Sequence, residues 1–105
     1  MNKITNRLLK FRDERNWRQF HTPGNLAKSI AIEAGELLEN YQWESGKESI
    51  ENVKEEIADI VSYCLLLSDH YGFDIKEIIN EKIDKNEQKY PISKSYGKSD
   101  KYTKL

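Results

Sequence analysis

The chain has 105 residues, 37% of them hydrophobic and 33% charged, with a net charge of −1. That length suits one small domain, and the near-neutral balance leaves no case for a DNA, RNA or membrane-surface partner. A domain this small buries only about two thirds of its surface, so a core shared between copies would help it.

Apolar spacing predicts four helices in an all-α domain, and no segment has the alternation and turn signals of a β-hairpin. The first runs roughly Thr5–Trp17, with Leu8, Leu9 and Phe11 inward. The charged start MNKITNRLLKFRDERNWRQF has no apolar signal core. Thr22 then caps a second helix with Pro23 at its first position. This helix reaches about Trp43, with Leu26, Ile30, Ala34, Leu37 and Tyr41 on the core stripe. Ser29, Glu33, Glu36, Asn40 and Trp43 form the neighbouring ridge, and Glu39 points elsewhere, toward solvent.

Ser45-Gly46 ends this helix and a third begins near Glu48. From Ile57 to Leu67 it is apolar nearly all round, which predicts the most buried helix. Its apolar run is far short of the ~20 residues of a membrane span. Cys64, the only cysteine, excludes an intrachain disulfide or a thiolate zinc cluster and suits a reducing compartment. The expectation is a soluble cytoplasmic protein. His70 closes the helix as a dipole partner, Gly72 stops it, and Asp74 caps the fourth, whose apolar face is Ile75, Ile78, Ile79 and Ile83. Tyr90-Pro91 ends the fourth. Residues 91–105 have the composition of a disordered tail, which divides the chain into a helical domain, 1–90, and a basic tail, 91–105. Residues 89–105 carry +4 and the remainder −5.

Chemistry concentrates on two helices. Ile32-Glu33-Ala-Gly-Glu36-Leu-Leu-Glu39 and Glu55-Glu56-Ile-Ala-Asp59-Ile60 each hold two carboxylates at i and i+3, on one helix face. Laid together, such helices gather Glu33, Glu36, Glu56 and Asp59. Four negative charges in a dry site call for a cation, and all-oxygen ligands suit Mg2+, with Mn2+ as a substitute. Spacing alone equally allows a solvated, salt-bridged face, but Glu56 and Asp59 lie past the first turn and adjoin buried positions. Trp17 and Trp43 read alone as core aromatics, His21 as a loop residue, and Lys82, Asn86 and Lys89 as a solvated face.

The motif pair IEAGELLE and EEIAD resembles that of the MazG-like branch of the all-α nucleoside triphosphate pyrophosphohydrolases. FRDERNWRQFHTPGNLA, EAGELLENYQW, KIDKNEQKYP and KYTKL are further similar to the dCTP pyrophosphatase group, in order across residues 11–105. The resemblance implies a MazG-like helical bundle assembling as a homodimer or homotetramer with composite active sites. It implies magnesium on Glu33, Glu36, Glu56 and Asp59, and a nucleoside pocket of Trp17, His21, Trp43 and Tyr63. Lys82, Asn86 and Tyr90 would lie near the phosphates and sugar, and Lys101 and Tyr102 would fold over a pocket. The implied reaction hydrolyses dCTP or a 5-modified dCTP between the α- and β-phosphates, with one acid, Glu36 or Glu33, as general base. Gly24 stands where a basic residue is often seen and the loop Ser45–Ser49 is short; either departure bears on base preference.

Competing readings are other canonical or damaged nucleotides as substrates, or a non-catalytic helical module that binds nucleotides or a partner. A di-iron bundle needs Glu-x-x-His pairs, and neither His21 nor His70 supplies one. Asp69-His70 has the reverse order of the His-Asp pair of HD-type phosphohydrolases.

Overall fold

The computed structural model describes residues 2–43, 46, 48–100 and 103. Among them are five α-helices, one 3-10 turn and no strand: α1 (Asn2–Glu14), the 3-10 turn Arg18–Phe20, α2 (Pro23–Glu39), α3 (Ile50–His70), α4 (Ile75–Lys89) and α5 (Ile92–Ser95). No helix among the described residues is long and apolar enough to cross a membrane. The chain divides into two compact units, Met1–Phe73 and Asp74–Leu105.

In the first unit α2 and α3 form the main helix pair and α1 lies against α3. Leu26 on α2 and Leu65 and Leu66 on α3 are the buried apolar side chains, with Ser68 among them. The starts of α2 and α3 are fixed by side-chain caps, Thr22 Oγ1 accepting from Asn25 N–H at 3.2 Å and Ser49 Oγ from Asn52 N–H at 3.3 Å. Both satisfy amide groups that a helix start leaves without partners.

Three boundaries depart from the expected ones. The first helix starts at Asn2 and stops at Glu14 because Asn16 takes a left-handed φ of 54°, which asparagine tolerates better than most residues. Trp17 therefore sits on the corner after the helix, its N–H donating to the Arg12 carbonyl at 3.0 Å. The second helix ends at Glu39 instead of Trp43, and Trp43 is 85% exposed beyond it. The third starts after Ser49, two positions later than expected; Ser45 lies outside the described residues.

Burial follows the predicted stripes only in part. Leu26 is buried and Ile30 and Leu37 half-buried, whereas Ala34, Tyr41 and Phe11 are exposed. On α3 the all-round apolar run is buried at Leu65 and Leu66, yet Ile57 and Val61 are 49% and 40% exposed.

In the second unit Asp74 Oδ1 accepts from Glu77 N–H at 3.1 Å, as its capping position predicts. Gly72, at φ 72°, turns the chain out of α3 just before it. Ile75 and Ile78 are half-buried and Ile79 and Ile83 exposed. The tail is not wholly irregular, since Pro91 starts the short helix α5.

Candidate active site

Glu33 lies six residues before the end of α2 and Glu56 six residues after the start of α3. A chain that folds back between them sets these positions side by side. Glu33, Glu56 and Asp59 each offer a carboxylate oxygen within 4.8 Å of the other two, and the three form a group able to hold a metal ion. Glu33 and Glu56 are half-buried, and Oε2 of each is buried with no hydrogen-bond partner. Orphaned carboxylate oxygens facing one another are costly without a proton or a cation to share.

The cost appears in the titration of Glu33. Its carboxyl is pushed up to about 7, first by the Glu56 carboxyl against it, then by burial, then by Glu36 and the Asp59 charge. A proton held between Glu33 and Glu56 relieves the group near neutrality, and a divalent cation would relieve it more fully. Glu36 lies outside the three-acid group but close enough to act on Glu33. With Glu39, Asn40, Asn52 and Glu56 it lines an open cleft of about 340 Å³. Glu39 is exposed as expected, yet it belongs to this cleft wall.

A second cavity, of about 260 Å³, adjoins the acids through Asp59 and is lined also by Leu8, Phe11, Arg12, Trp17, His21, Ser62, Tyr63 and Leu66. Phe11 and Trp17 meet edge to face at 5.7 Å, and the His21 and Tyr63 rings do so at 6.5 Å. Burial and then the Arg12 charge lower the His21 pKa, so the ring is neutral at pH 7, and its Nδ1 is buried without a partner. Burial, followed by the Glu33 and Asp59 charges, raises the Tyr63 pKa and keeps its phenol a hydrogen-bond donor. Aromatic faces, a polar edge and one adjoining acid cluster suit a ring attached to something that needs a cation.

The structure thus brings together Glu33, Glu56 and Asp59, with Glu36 beside them, and gathers Trp17, His21 and Tyr63 in one cavity. Trp43 is not among the residues lining it. Lys82 and Asn86 lie on α4, and Tyr90 closes that helix, its N–H donating to the Asn86 carbonyl at 2.8 Å. Lys101 and Tyr102 lie outside the described residues. Sequence reasoning missed Arg12, Ser62 and Leu66 as cavity residues and Asn52 as a cleft residue. Helical spacing carried a signal for them, since Leu8, Phe11 and Arg12, and likewise Asp59, Ser62, Tyr63 and Leu66, recur at three and four.

Residues 28–105, most of the chain, match the MazG-like family. The chain belongs to that family. Among solved structures it is similar to a pyrophosphatase from Archaeoglobus fulgidus, with 44% identity and a TM-score of 0.78, over 87% of this chain and 92% of that one. Mouse dCTP pyrophosphatase 1 is 35% identical over 91% of this chain and 62% of the mouse protein. The human protein of that name is 32% identical over the same shares. This MazG-like chain thus spans under two thirds of the length of its mammalian relatives. The resemblance to the dCTP pyrophosphatase group expected from the ordered sequence blocks is borne out, as is the all-α fold class.

Proposed function

We propose that this MazG-like chain is a magnesium-dependent nucleoside triphosphate pyrophosphohydrolase, cleaving dCTP or a 5-substituted dCTP between the α- and β-phosphates to give the monophosphate and pyrophosphate. The observation that carries it is the double role of Asp59. It belongs to the three-acid group and also lines the aromatic cavity, so a base in the cavity leaves its phosphates at the acids. The names of the relatives, pyrophosphatase and dCTP pyrophosphatase 1, support the same reading.

The donor set fits the metal, being all carboxylate oxygen with two orphaned, buried members. Glu33, Glu56 and Asp59 would hold it, with Glu36 as a further ligand or as the base. Bound magnesium would neutralise phosphate charge and make a water more acidic. The protein's own part is positioning and proton handling. Trp17 and Tyr63 supply ring faces for the base, and the three-acid group anchors the triphosphate through the shared cation. Glu36, less buried than Glu33, is free to take a proton from the attacking water. Lys82, Asn86 and Tyr90 are proposed phosphate and sugar contacts. Residues 1–90 are read as the catalytic domain and 91–105 as an appended tail.

Assembly as a homodimer or homotetramer belongs to this proposal. Trp43, mostly exposed on its own protomer, would then serve a pocket completed by a second copy.

Pyrophosphate release from each deoxy- and ribonucleoside triphosphate, with and without Mg2+ and beside Glu36→Gln, tests the reading. Magnesium-dependent release led by dCTP or a 5-substituted dCTP, and lost in the variant, is the expected result. Release led by another nucleotide keeps the chemistry and overturns the substrate. No release from any nucleotide overturns the enzyme reading.

A further inference from the structure

We infer that Arg12 reads the base: its guanidinium fork pairs with the two adjacent acceptors of cytosine, O2 and N3, and so sets the preference for cytosine over other bases. The inference rests on the nucleotide reading of the cavity proposed above.

Arg12 lies on α1 and lines the aromatic cavity, and its charged side chain is only 13% exposed. Holding a cation this far from water is costly unless it has partners. One is Asp13, whose Oδ1 accepts from Arg12 Nε at 2.8 Å. That bond occupies Nε and leaves the two terminal nitrogens, the prongs of the fork. The backbone is anchored as well, because the Arg12 carbonyl accepts the Trp17 N–H at 3.0 Å across the corner after α1. The backbone positions that carry the cation and the largest ring of the cavity are therefore tied to each other. Among the described residues Arg12 forms no ion pair with Asp59, the one acid of the same cavity.

The surroundings favour a base over a phosphate. Leu8, Phe11, Trp17 and Leu66 share the cavity wall with Arg12, and apolar and aromatic faces hold rings rather than phosphate oxygens. Asp59 would repel a phosphate that lacked a cation. A planar guanidinium offers parallel N–H groups that match two neighbouring acceptors, and lysine cannot imitate this. Only cytosine presents that pair on its pairing edge. Uracil and thymine place an N–H between their carbonyls, adenine sets a single acceptor beside its amino group, and guanine sets one acceptor beside two donors. His21 completes the pattern, since its neutral ring with an unpartnered Nδ1 suits the 4-amino group next to N3.

The test measures kcat/KM for dCTP, dUTP, dTTP, dATP and dGTP with Mg2+ on the full chain, its Arg12→Met and Arg12→Lys variants, and Asp13→Asn. The dCTP-to-dUTP ratio should fall roughly 10- to 100-fold in Arg12→Met, through dCTP alone, the scale of one bidentate base contact. Arg12→Lys should restore only part of it. Asp13→Asn, changed at a half-exposed carboxylate, should lower the same ratio in a folded protein even if Arg12→Met does not fold. An equal loss on all five nucleotides, or an unchanged ratio, overturns the inference. If the wild type hydrolyses no nucleotide, the enzyme reading falls separately. Calorimetric binding of dCMP and dUMP then decides for Arg12, and equal affinities overturn its role.

Discussion

Glu33 carries the sharpest electrostatic conflict among the described residues, and it fixes how the metal-free protein responds to pH. Unfolded, its carboxyl titrates near its ordinary 4.5, whereas in the fold it is pushed up to about 7, chiefly by Glu56. Between those values the folded chain keeps a proton that the unfolded chain has released. Stability contributed here is therefore present at low pH and is lost as pH rises through about 7. Thermal denaturation in chelator should show this as a fall in Tm between pH 5.5 and pH 8 that Glu33→Gln removes. Magnesium at pH 8 should raise the Tm of the wild type and leave that of Glu33→Gln nearly unchanged, because the cation replaces the proton. A wild type whose chelated Tm rises over that interval relative to Glu33→Gln would contradict the assignment.

At the level of elements, the caps and the deepest leucines set the energetics. Leu66 is 6% exposed and also lines the aromatic cavity, so Leu66→Ala should cost about 2–5 kcal/mol in denaturant unfolding and widen that cavity. Asp74→Ala removes the carboxylate that accepts from Glu77 and should cost about 1 kcal/mol, read by the same unfolding curve. Such caps were plain in the sequence. Thr22-Pro23, Asp74 and Gly72 sit where amide satisfaction and positive φ require them, and the i, i+3 acid pairs marked the two site helices. The early stop of α1 was not legible, since nothing in Glu14-Arg-Asn16-Trp17 forces the left-handed turn until Trp17 docks on the Arg12 carbonyl. Trp43 was placed on the ridge of α2 by periodicity alone, and the helix ended four residues before it. Arg12 was not singled out, because helical spacing sets it beside Leu8 and Phe11 without showing that a later aromatic corner covers the cation.

For the whole molecule, the apolar side chains left in water on α2 and α3 set the energetics of association. Ile50, Ile57 and Val61 recur at helical spacing on α3 with 64%, 49% and 40% exposure, and Ile32 and Leu38 stand 61% and 70% exposed on α2. Ile50, Ile57 and Val61 share one face of α3, and an apolar face of this kind left in water marks an interaction surface. Under the proposed homo-oligomer, sedimentation equilibrium should give a dimer or tetramer, and Ile57→Lys should shift it toward monomer. A wild type that sediments as a monomer would reject the assembly. The placement of the two site halves has a further consequence, for how such a protein diverges. The acids stand on α2 and α3, while Leu8, Phe11, Arg12, Trp17 and His21 come from α1 and the corner behind it. One short contiguous stretch of chain therefore carries most of the cavity wall and none of the acids. Under the proposed activity, drift in that stretch would move the base preference while the acids stay unchanged, and transplanting it between relatives should carry the preference along.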